Sequence, residues 1–148
     1  MKHKSYFLVV VLLMVALQLT ACSKNPETNT QDVPPAQVVH LGGNETTRVT
    51  LTADAAKRLD LQTDAAQTES FSGADRTVVP YSSIIYDTEG NTWVYTSPEP
   101  MTYVRTSVQV DSIQGDDAVL LEGPPAGTAI VTVGAEELFG AETEFEEE

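Results

Sequence analysis

Cysteine is almost absent from this chain, and basic residues are few. The 148 residues include one cysteine, Cys22, and eight lysines and arginines against 22 aspartates and glutamates. A single thiol allows no disulfide within the chain and no zinc site built on several cysteines. The formal net charge of −14 would repel the phosphate backbone of a nucleic acid, so we expect no nucleic-acid partner.

Histidine and methionine are scarce beyond the first 22 residues, where only His40 and Met101 occur. The usual nitrogen and sulfur ligands of zinc and copper are therefore missing, and we expect neither a metal site nor another cofactor. His40 lies in a polar segment, where a lone histidine is more typical of a solvated side chain than of a metal ligand.

Motifs for catalysis are missing as well. The sequence has no glycine-rich phosphate loop and no Ser/His/Asp set. Asp111, Asp116 and Asp117 could suggest a calcium loop, but their spacing does not fit an EF-hand, and residues 115–117 are typical of a turn. We therefore expect no catalytic residues and a protein that is not an enzyme.

The first 21 residues form a signal-peptide pattern. Residues 1–4 carry two lysines, and residues 6–17 form an apolar run that is too short for an ordinary membrane span. Residues 19–22 then read Leu-Thr-Ala-Cys, with small side chains before the cysteine. This order of a basic, an apolar and a small-residue segment predicts secretion with removal of residues 1–21.

The end of this segment resembles the lipobox of bacterial lipoproteins. That resemblance implies that Cys22 is lipidated and becomes the new N-terminus, with palmitate among its acyl chains. The alternative is an ordinary signal peptide with a free cysteine beside the cleavage site. A lipidated Cys22 would hold the protein on the extracytoplasmic side of a membrane. We expect the protein on the outer face of the cytoplasmic membrane, or on the outer membrane where the organism has one.

Two segments are predicted to lack a fold. Residues 22–45 are rich in proline, asparagine and threonine, which predicts a disordered linker with a reach of roughly 25 Å. Residues 141–148 contain five glutamates, and like charges at this density predict a solvated acidic tail. A regulatory or cation-attracting role for the tail is the alternative.

The intervening residues 46–140 have the pattern of a compact all-β unit. Short runs of β-branched residues alternate with Gly, Asp, Asn and Pro, which predicts about five to seven mostly antiparallel strands in a small β-roll or barrel. One short helix is expected at residues 53–59, with Thr52 as N-cap, Asp54 in the first turn, and Lys57 and Arg58 in the last.

Aromatic residues are concentrated on two of the predicted strands. In the strand at residues 92–97, strict alternation places Trp93 and Tyr95 on one face and Val94 on the other. Together with Tyr103 these aromatic side chains could form an exposed binding face. Packing in the core or across strands is the interpretation that we favour.

Several segments, in order, resemble the membrane fusion proteins, which are the periplasmic adaptor subunits of RND-type efflux systems. Residues 49–63 resemble the segment with which many adaptors begin, although Asp60 replaces the usual glycine. Residues 79–86, 91–95, 104–110, 115–121 and 127–135 follow the order of the adaptor C-terminal region. The resemblance covers about two thirds of the chain.

The resemblance implies a membrane-proximal domain alone. In the family these two regions meet in a small β-roll, and a barrel, a lipoyl-like domain and a helical hairpin lie between them in the chain. Here only a short loop, predicted at residues 70–75, connects the two regions. We therefore expect a non-catalytic accessory domain for transport or efflux that docks on an inner-membrane transporter permease. The alternative is a lipoprotein that binds a small molecule or ion at the barrel mouth.

Overall fold

The computed structural model describes residues 34–42, 46–71 and 73–146. In this part of the chain, one curled antiparallel sheet forms a half-barrel, which confirms the predicted small all-β fold. The strands are β1 (Ala36–His40), β2 (Thr47–Leu51), β3 (Gln62–Ala65), β4 (Gln67–Phe71), β5 (Ala74–Pro80), β6 (Ile85–Tyr86), β7 (Thr92–Glu99), β8 (Thr102–Gln114), β9 (Asp117–Glu122) and β10 (Ala129–Val133). The helices are α1 (Ala53–Arg58), α2 (Ala135–Glu146) and a 3₁₀ turn (Tyr81–Ser83).

Helix α1 has the ends that its sequence predicts. The Thr52 hydroxyl oxygen accepts a hydrogen bond from the backbone N–H of Ala55 at 3.2 Å. Asp54 lies in the first turn, and Lys57 and Arg58 lie in the last, so each charge opposes the partial charge at its end of the helix. The predicted N-cap is therefore confirmed.

Strand β7 separates two clusters of buried side chains. Trp93 and Tyr95 face a cluster shared with β1, β2 and the two α-helices. Val94 points the other way, into a cluster that includes Val79 and Ile130. The predicted alternation of β7 is thus confirmed, and both faces of this strand are buried.

The sheet curls at two places, and at each of them one stretch of chain pairs first with one strand and then with another. The long strand β8 pairs with β7 as far as Val108 and with β9 from Gln109 onward, and its register with β9 shifts near Val110. Such irregularities bend a strand and increase its twist. At the other corner, Ala66 joins β3 to β4 and hydrogen-bonds residues 127 and 128 through its backbone. The strand order β3-β10-β7-β8-β9-β5-β4 therefore begins and ends on the two sides of Ala66.

The predicted linker at residues 22–45 is wrong for Ala36–His40, which form β1. This strand pairs with all of β2, from Ala36 opposite Leu51 to His40 opposite Thr47. Local composition does not reveal β1, because Ala36 is its only buried residue, and that burial depends on a core cluster shared with β7, β8 and α2. The remaining linker residues 22–33 and 43–45, the signal segment 1–21 and Cys22 lie outside the described residues.

The predicted acidic tail at residues 141–148 is wrong as far as residue 146, because α2 extends from Ala135 to Glu146. Leu138, Glu142 and Phe145 recur at helical spacing, and all three contact the rest of the domain. Glu142 is buried while Glu144 is exposed, so the glutamates of this segment do not share one environment. A run of like charges in the sequence does not distinguish the buried glutamate from the exposed one.

The described residues contain ten strands, more than the predicted five to seven. β1 lies in the expected linker, and residues 62–71 form two strands, β3 and β4, that meet at Ala66. The loop expected at residues 70–75 is a tight hairpin, because Phe71 already pairs with Ala74. Gly73 in this hairpin has a φ of 83°, a conformation that glycine adopts without strain.

Candidate functional site

The residues weighed as binding candidates in the sequence are mostly structural in the fold. Trp93, Tyr95 and Tyr103 are buried in one cluster, so the core interpretation is confirmed. Asp116 lies in the turn between β8 and β9, and Asp117 pairs with Gln114 next to that turn. Within residues 34–42, 46–71 and 73–146, three or more potential metal-binding side chains nowhere come together. Neither α-helix in those ranges has the length and apolar character needed to cross a bilayer.

A buried polar cluster joins α2 to the sheet. We call it the α2 lock and define it as Thr47, Tyr95, Arg105 and Glu142. The Glu142 side chain is 0% exposed, and one of its oxygens accepts a hydrogen bond from the Tyr95 hydroxyl. The other oxygen lies 3.2 Å from Nε of Arg105. Nη2 of Arg105 also donates to the Thr47 hydroxyl at 3.4 Å.

Two aromatic rings surround the cation of the α2 lock. The Arg105 guanidinium carbon lies 4.9 Å from the centre of the Trp93 ring and 5.6 Å from that of Phe139. Cation–π attraction adds to the ion pair at these distances. Because Glu142 has no exposed surface, no substrate reaches its carboxylate in this conformation. The chemistry of the α2 lock is therefore that of a structural connection.

The second polar cluster lies in the hairpin turn between β6 and β7. We call it the Asp87 clamp. One Asp87 carboxylate oxygen accepts hydrogen bonds from the backbone N–H groups of Glu89 at 2.9 Å and Asn91 at 2.8 Å. The other accepts from the Asn91 side-chain amide at 2.9 Å and from Nε1 of Trp93 at 3.0 Å. Four donors thus fix the turn and connect it to a buried indole.

These hydrogen bonds favour the ionised form of Asp87. The bond from Trp93 is the main cause, the bonds from Asn91 and Glu89 add to it, and partial desolvation opposes it, so the pKa of Asp87 falls from 3.8 to about 2. Because the pKa is lowered on folding, the clamp contributes its full stabilisation above pH 3.8. That contribution is lost as the pH falls towards 2.

We predict that a carbon-13 NMR titration of the carboxyl groups will place the midpoint of Asp87 at about 2. In the Trp93→Phe variant, which loses the indole donor, the pKa of Asp87 should rise towards its ordinary value. Asn91→Ala serves as a second variant and should raise it by a smaller amount. An unchanged Asp87 midpoint in Trp93→Phe would contradict the role given to the indole.

An open groove runs along the middle of β8. It encloses about 560 Å³ between the β6–β7 turn, β8 itself and the segment that follows β9. Its lining residues are mostly polar or small. They are Gly90, Asn91, Thr92, Thr106, Ser107, Val108, Gln109, Glu122, Gly123 and Pro124. We call this the β8 groove. A smaller depression of about 200 Å³ shares Glu122 and Gly123 with it and also includes Asp75 and Arg76.

The β8 groove forms where β8 changes its neighbours. β7 begins at Thr92, opposite Val108, and β9 ends at Glu122, opposite Gln109. Gly123 then packs so closely that an added Cβ would lie 3.0 Å from Leu120 and 3.1 Å from Val108. The groove therefore depends on the curl of the sheet, and sequence periodicity did not predict it.

Two exposed tyrosines form a third polar feature, beside the 3₁₀ turn. Tyr81 and Tyr86 are 44% and 52% exposed. Hydrogen bonding to the Tyr81 side chain is the main cause that raises the pKa of Tyr86. The hydroxyl of Ser82 donates to the carbonyl of Thr132 at 3.0 Å, which holds the 3₁₀ turn against β10. We call Tyr81 and Tyr86 the tyrosine pair.

Sequence reasoning missed both the α2 lock, which is a structural connection, and the β8 groove. The helical spacing of Leu138, Glu142 and Phe145 was a signal for the first. The second left only a weak signal, the Gly123-Pro124 break after the strand β9. Comparison with protein families, with curated proteins and with solved structures gave no match to this chain.

Proposed function

We propose that this chain is a lipid-anchored, non-catalytic accessory domain that docks on the extracytoplasmic side of a membrane transporter. The proposal starts from the resemblance of its segments to efflux adaptor subunits. The observation that carries it is the pairing of the two resembling regions in one β unit. β2 pairs with β8, and β3 pairs with β10, so the early and late regions share one sheet.

The connection between the two regions also supports the proposal. Ala66 continues from β3 directly into β4, and the hairpin from Phe71 to Ala74 returns the chain to β5. The described chain therefore passes from the first region to the second without the insertion found in full adaptors. Such a domain offers a surface for a membrane partner, and residues 34–42, 46–71 and 73–146 include no segment that would extend towards a second membrane.

The tyrosine pair is the surface that we propose for docking. Tyrosine is enriched in protein interfaces because its ring is apolar while its hydroxyl still makes hydrogen bonds. Tyr81 and Tyr86 are both exposed, and they lie close enough for Tyr81 to raise the pKa of Tyr86.

The short connection to the predicted anchor supports docking close to the membrane. The β unit begins at Pro34, which is 12 residues after Cys22 in the sequence. Even a fully extended chain of this length spans at most about 40 Å. If Cys22 is lipidated, the domain is therefore confined to a layer next to the bilayer.

Two measurements on the full chain test this function together. We expect radiolabelled palmitate to appear on wild-type protein and not on Cys22→Ser, which should also leave the membrane fraction. We expect tagged wild-type protein to recover a transporter permease from solubilised membranes, and Tyr81→Ser/Tyr86→Ser to recover at least tenfold less. Ile113→Ser is the matched control, because Ile113 is 44% exposed on another strand. Equal recovery of the permease by Tyr81→Ser/Tyr86→Ser and by Ile113→Ser would refute the proposed docking surface. Recovery of no permease by the wild-type protein would refute docking.

A second candidate function is the binding of a small molecule by a lipoprotein. The observation that favours it is the β8 groove, whose polar lining and volume of about 560 Å³ suit a small ligand.

A further inference from the structure

We propose that the β8 groove binds a small organic cation, a primary amine that also carries hydroxyl groups, with Glu122 as its counter-charge. The proposal rests on the second candidate function and names its ligand class. It does not depend on docking, because the tyrosine pair does not line this groove.

The charge of the lining indicates a cation. Glu122 is the only charged residue among those that line the groove. The Asp87 clamp and Glu89 lie in the adjoining turn, and the pKa of about 2 keeps Asp87 ionised at neutral pH. With a formal net charge of −14 on the chain, this region attracts cations and repels anions.

The polar side chains of the lining indicate that the ligand carries hydroxyl groups. The side chains of Ser107, Gln109 and Glu122 make no hydrogen bond or ion pair with any other residue in the described ranges. A hydroxyl donor, an amide and a carboxylate are thus available along one groove. The lining includes no aromatic residue, so stacking and cation–π binding contribute nothing from within it. This favours an N–H-bearing ammonium over a quaternary one.

The walls of the groove are already fixed by the fold. Two hydrogen bonds to Asp87 hold the backbone and the side chain of Asn91. The Thr92 hydroxyl donates to the carbonyl of Val108 at 2.7 Å, which ties the start of β7 to β8. Close packing around Gly123 fixes the opposite wall. A ligand therefore enters a groove whose supporting backbone is in place, and this reduces the ordering that binding requires.

The neighbouring depression does not change this assignment. It brings Asp75 and Arg76 near Glu122, and their opposite charges offset each other. No ion pair shorter than 4.0 Å connects Arg76 with Glu122 in the described structure. The Glu122 carboxylate is therefore not already occupied by a lysine or an arginine of the fold.

The experiment uses the full chain in detergent and four small probes at pH 7. Glucosamine supplies an amine with hydroxyls, glucose lacks the amine, glucuronate reverses the charge, and choline is a quaternary ammonium. We expect saturable chemical-shift changes with glucosamine at residues 106–109 and 122–123, with an affinity at least tenfold above those of glucose and choline. Glucuronate should cause none.

Two variants locate the site. Glu122→Gln should weaken glucosamine binding at least tenfold, whereas Glu99→Gln, at the far end of β7, should leave it unchanged. Gln109→Ala should weaken binding several-fold without removing the charge. Native chemical shifts of the buried Trp93 show that each variant is folded.

Several results would overturn the proposal. They are a lack of saturable shifts with glucosamine, equal binding of glucose, shifts confined to other surfaces, or unchanged affinity in Glu122→Gln. Each of these outcomes leaves the membrane pull-down unaffected. Failure of ligand binding is therefore distinguishable from failure of docking.

Discussion

Replacing Glu142 by alanine is expected to lower the free energy of unfolding by about 3 kcal/mol, because it leaves a largely buried guanidinium without its counter-charge. The Arg105 side chain is only 13% exposed, so water replaces little of the lost attraction. The substitution also removes an acceptor of the Tyr95 hydroxyl. For a domain of this size, the thermal midpoint should fall by roughly 10 °C.

Glu144→Ala is the matched control for this prediction, since it removes the same charge from the exposed face of the same helix. Its effect should stay within about 0.5 kcal/mol. A double variant, Arg105→Met/Glu142→Leu, removes both charges and should be more stable than Glu142→Ala, because no uncompensated ion remains. Urea unfolding followed by circular dichroism measures all three variants. Similar unfolding midpoints for Glu142→Ala and Glu144→Ala would contradict the α2 lock.

Gly134→Ala is expected to have an effect of similar size at the start of α2. Gly134 has a φ of 80°, and an added Cβ would lie 2.6 Å from the carbonyl oxygen of Leu59 and 2.6 Å from Cδ2 of Leu61. The left-handed backbone costs about 1–2 kcal/mol in an L-residue, and forced overpacking adds about 1–3 kcal/mol. We therefore expect the free energy of unfolding to fall by about 3 kcal/mol or more.

The same substitution six residues later should act in the opposite direction. Gly140 lies inside α2, and an added Cβ there would meet nothing within 4 Å. Gly140→Ala should therefore stabilise the protein by about 0.5–1 kcal/mol through reduced backbone entropy. Denaturant unfolding of both variants under one set of conditions provides the comparison. If Gly134→Ala were as stable as the wild type, the close contact between Gly134 and Leu59 would be wrong.

Local signals predicted the parts of the fold that depend on nearby residues. The helix α1 follows from Thr52, Asp54 and the basic pair after them, all within seven positions. The alternation of Trp93, Val94 and Tyr95 predicted the two faces of β7, because successive side chains of a strand point to opposite sides. These features need no knowledge of what packs against them.

Features that depend on distant partners were mispredicted or missed. β1 lies in a segment whose composition is typical of a linker, and its buried Ala36 packs in a cluster with residues of β7, β8 and α2, far along the chain. Glu142 resembles its neighbouring glutamates in the sequence, but Arg105 lies 37 positions earlier and approaches it only in the folded sheet. Composition cannot distinguish a buried glutamate from a solvated one until its partner is placed.

The candidate site likewise has some features that follow from the sequence and others that only the tertiary structure decides. The sequence by itself determined an all-β domain, its main turns, the N-cap of α1 and the strongly acidic charge that favours cationic ligands. It also places Cys22 in a lipobox-like context, and the lipidation of this cysteine remains a prediction. Only the tertiary structure brought Asn91, Ser107 and Glu122 to one groove, because β8 exchanges β7 for β9 at that point. The physical reason is that side-chain periodicity is local, whereas the curl of a sheet arises from pairings between residues far apart in the chain.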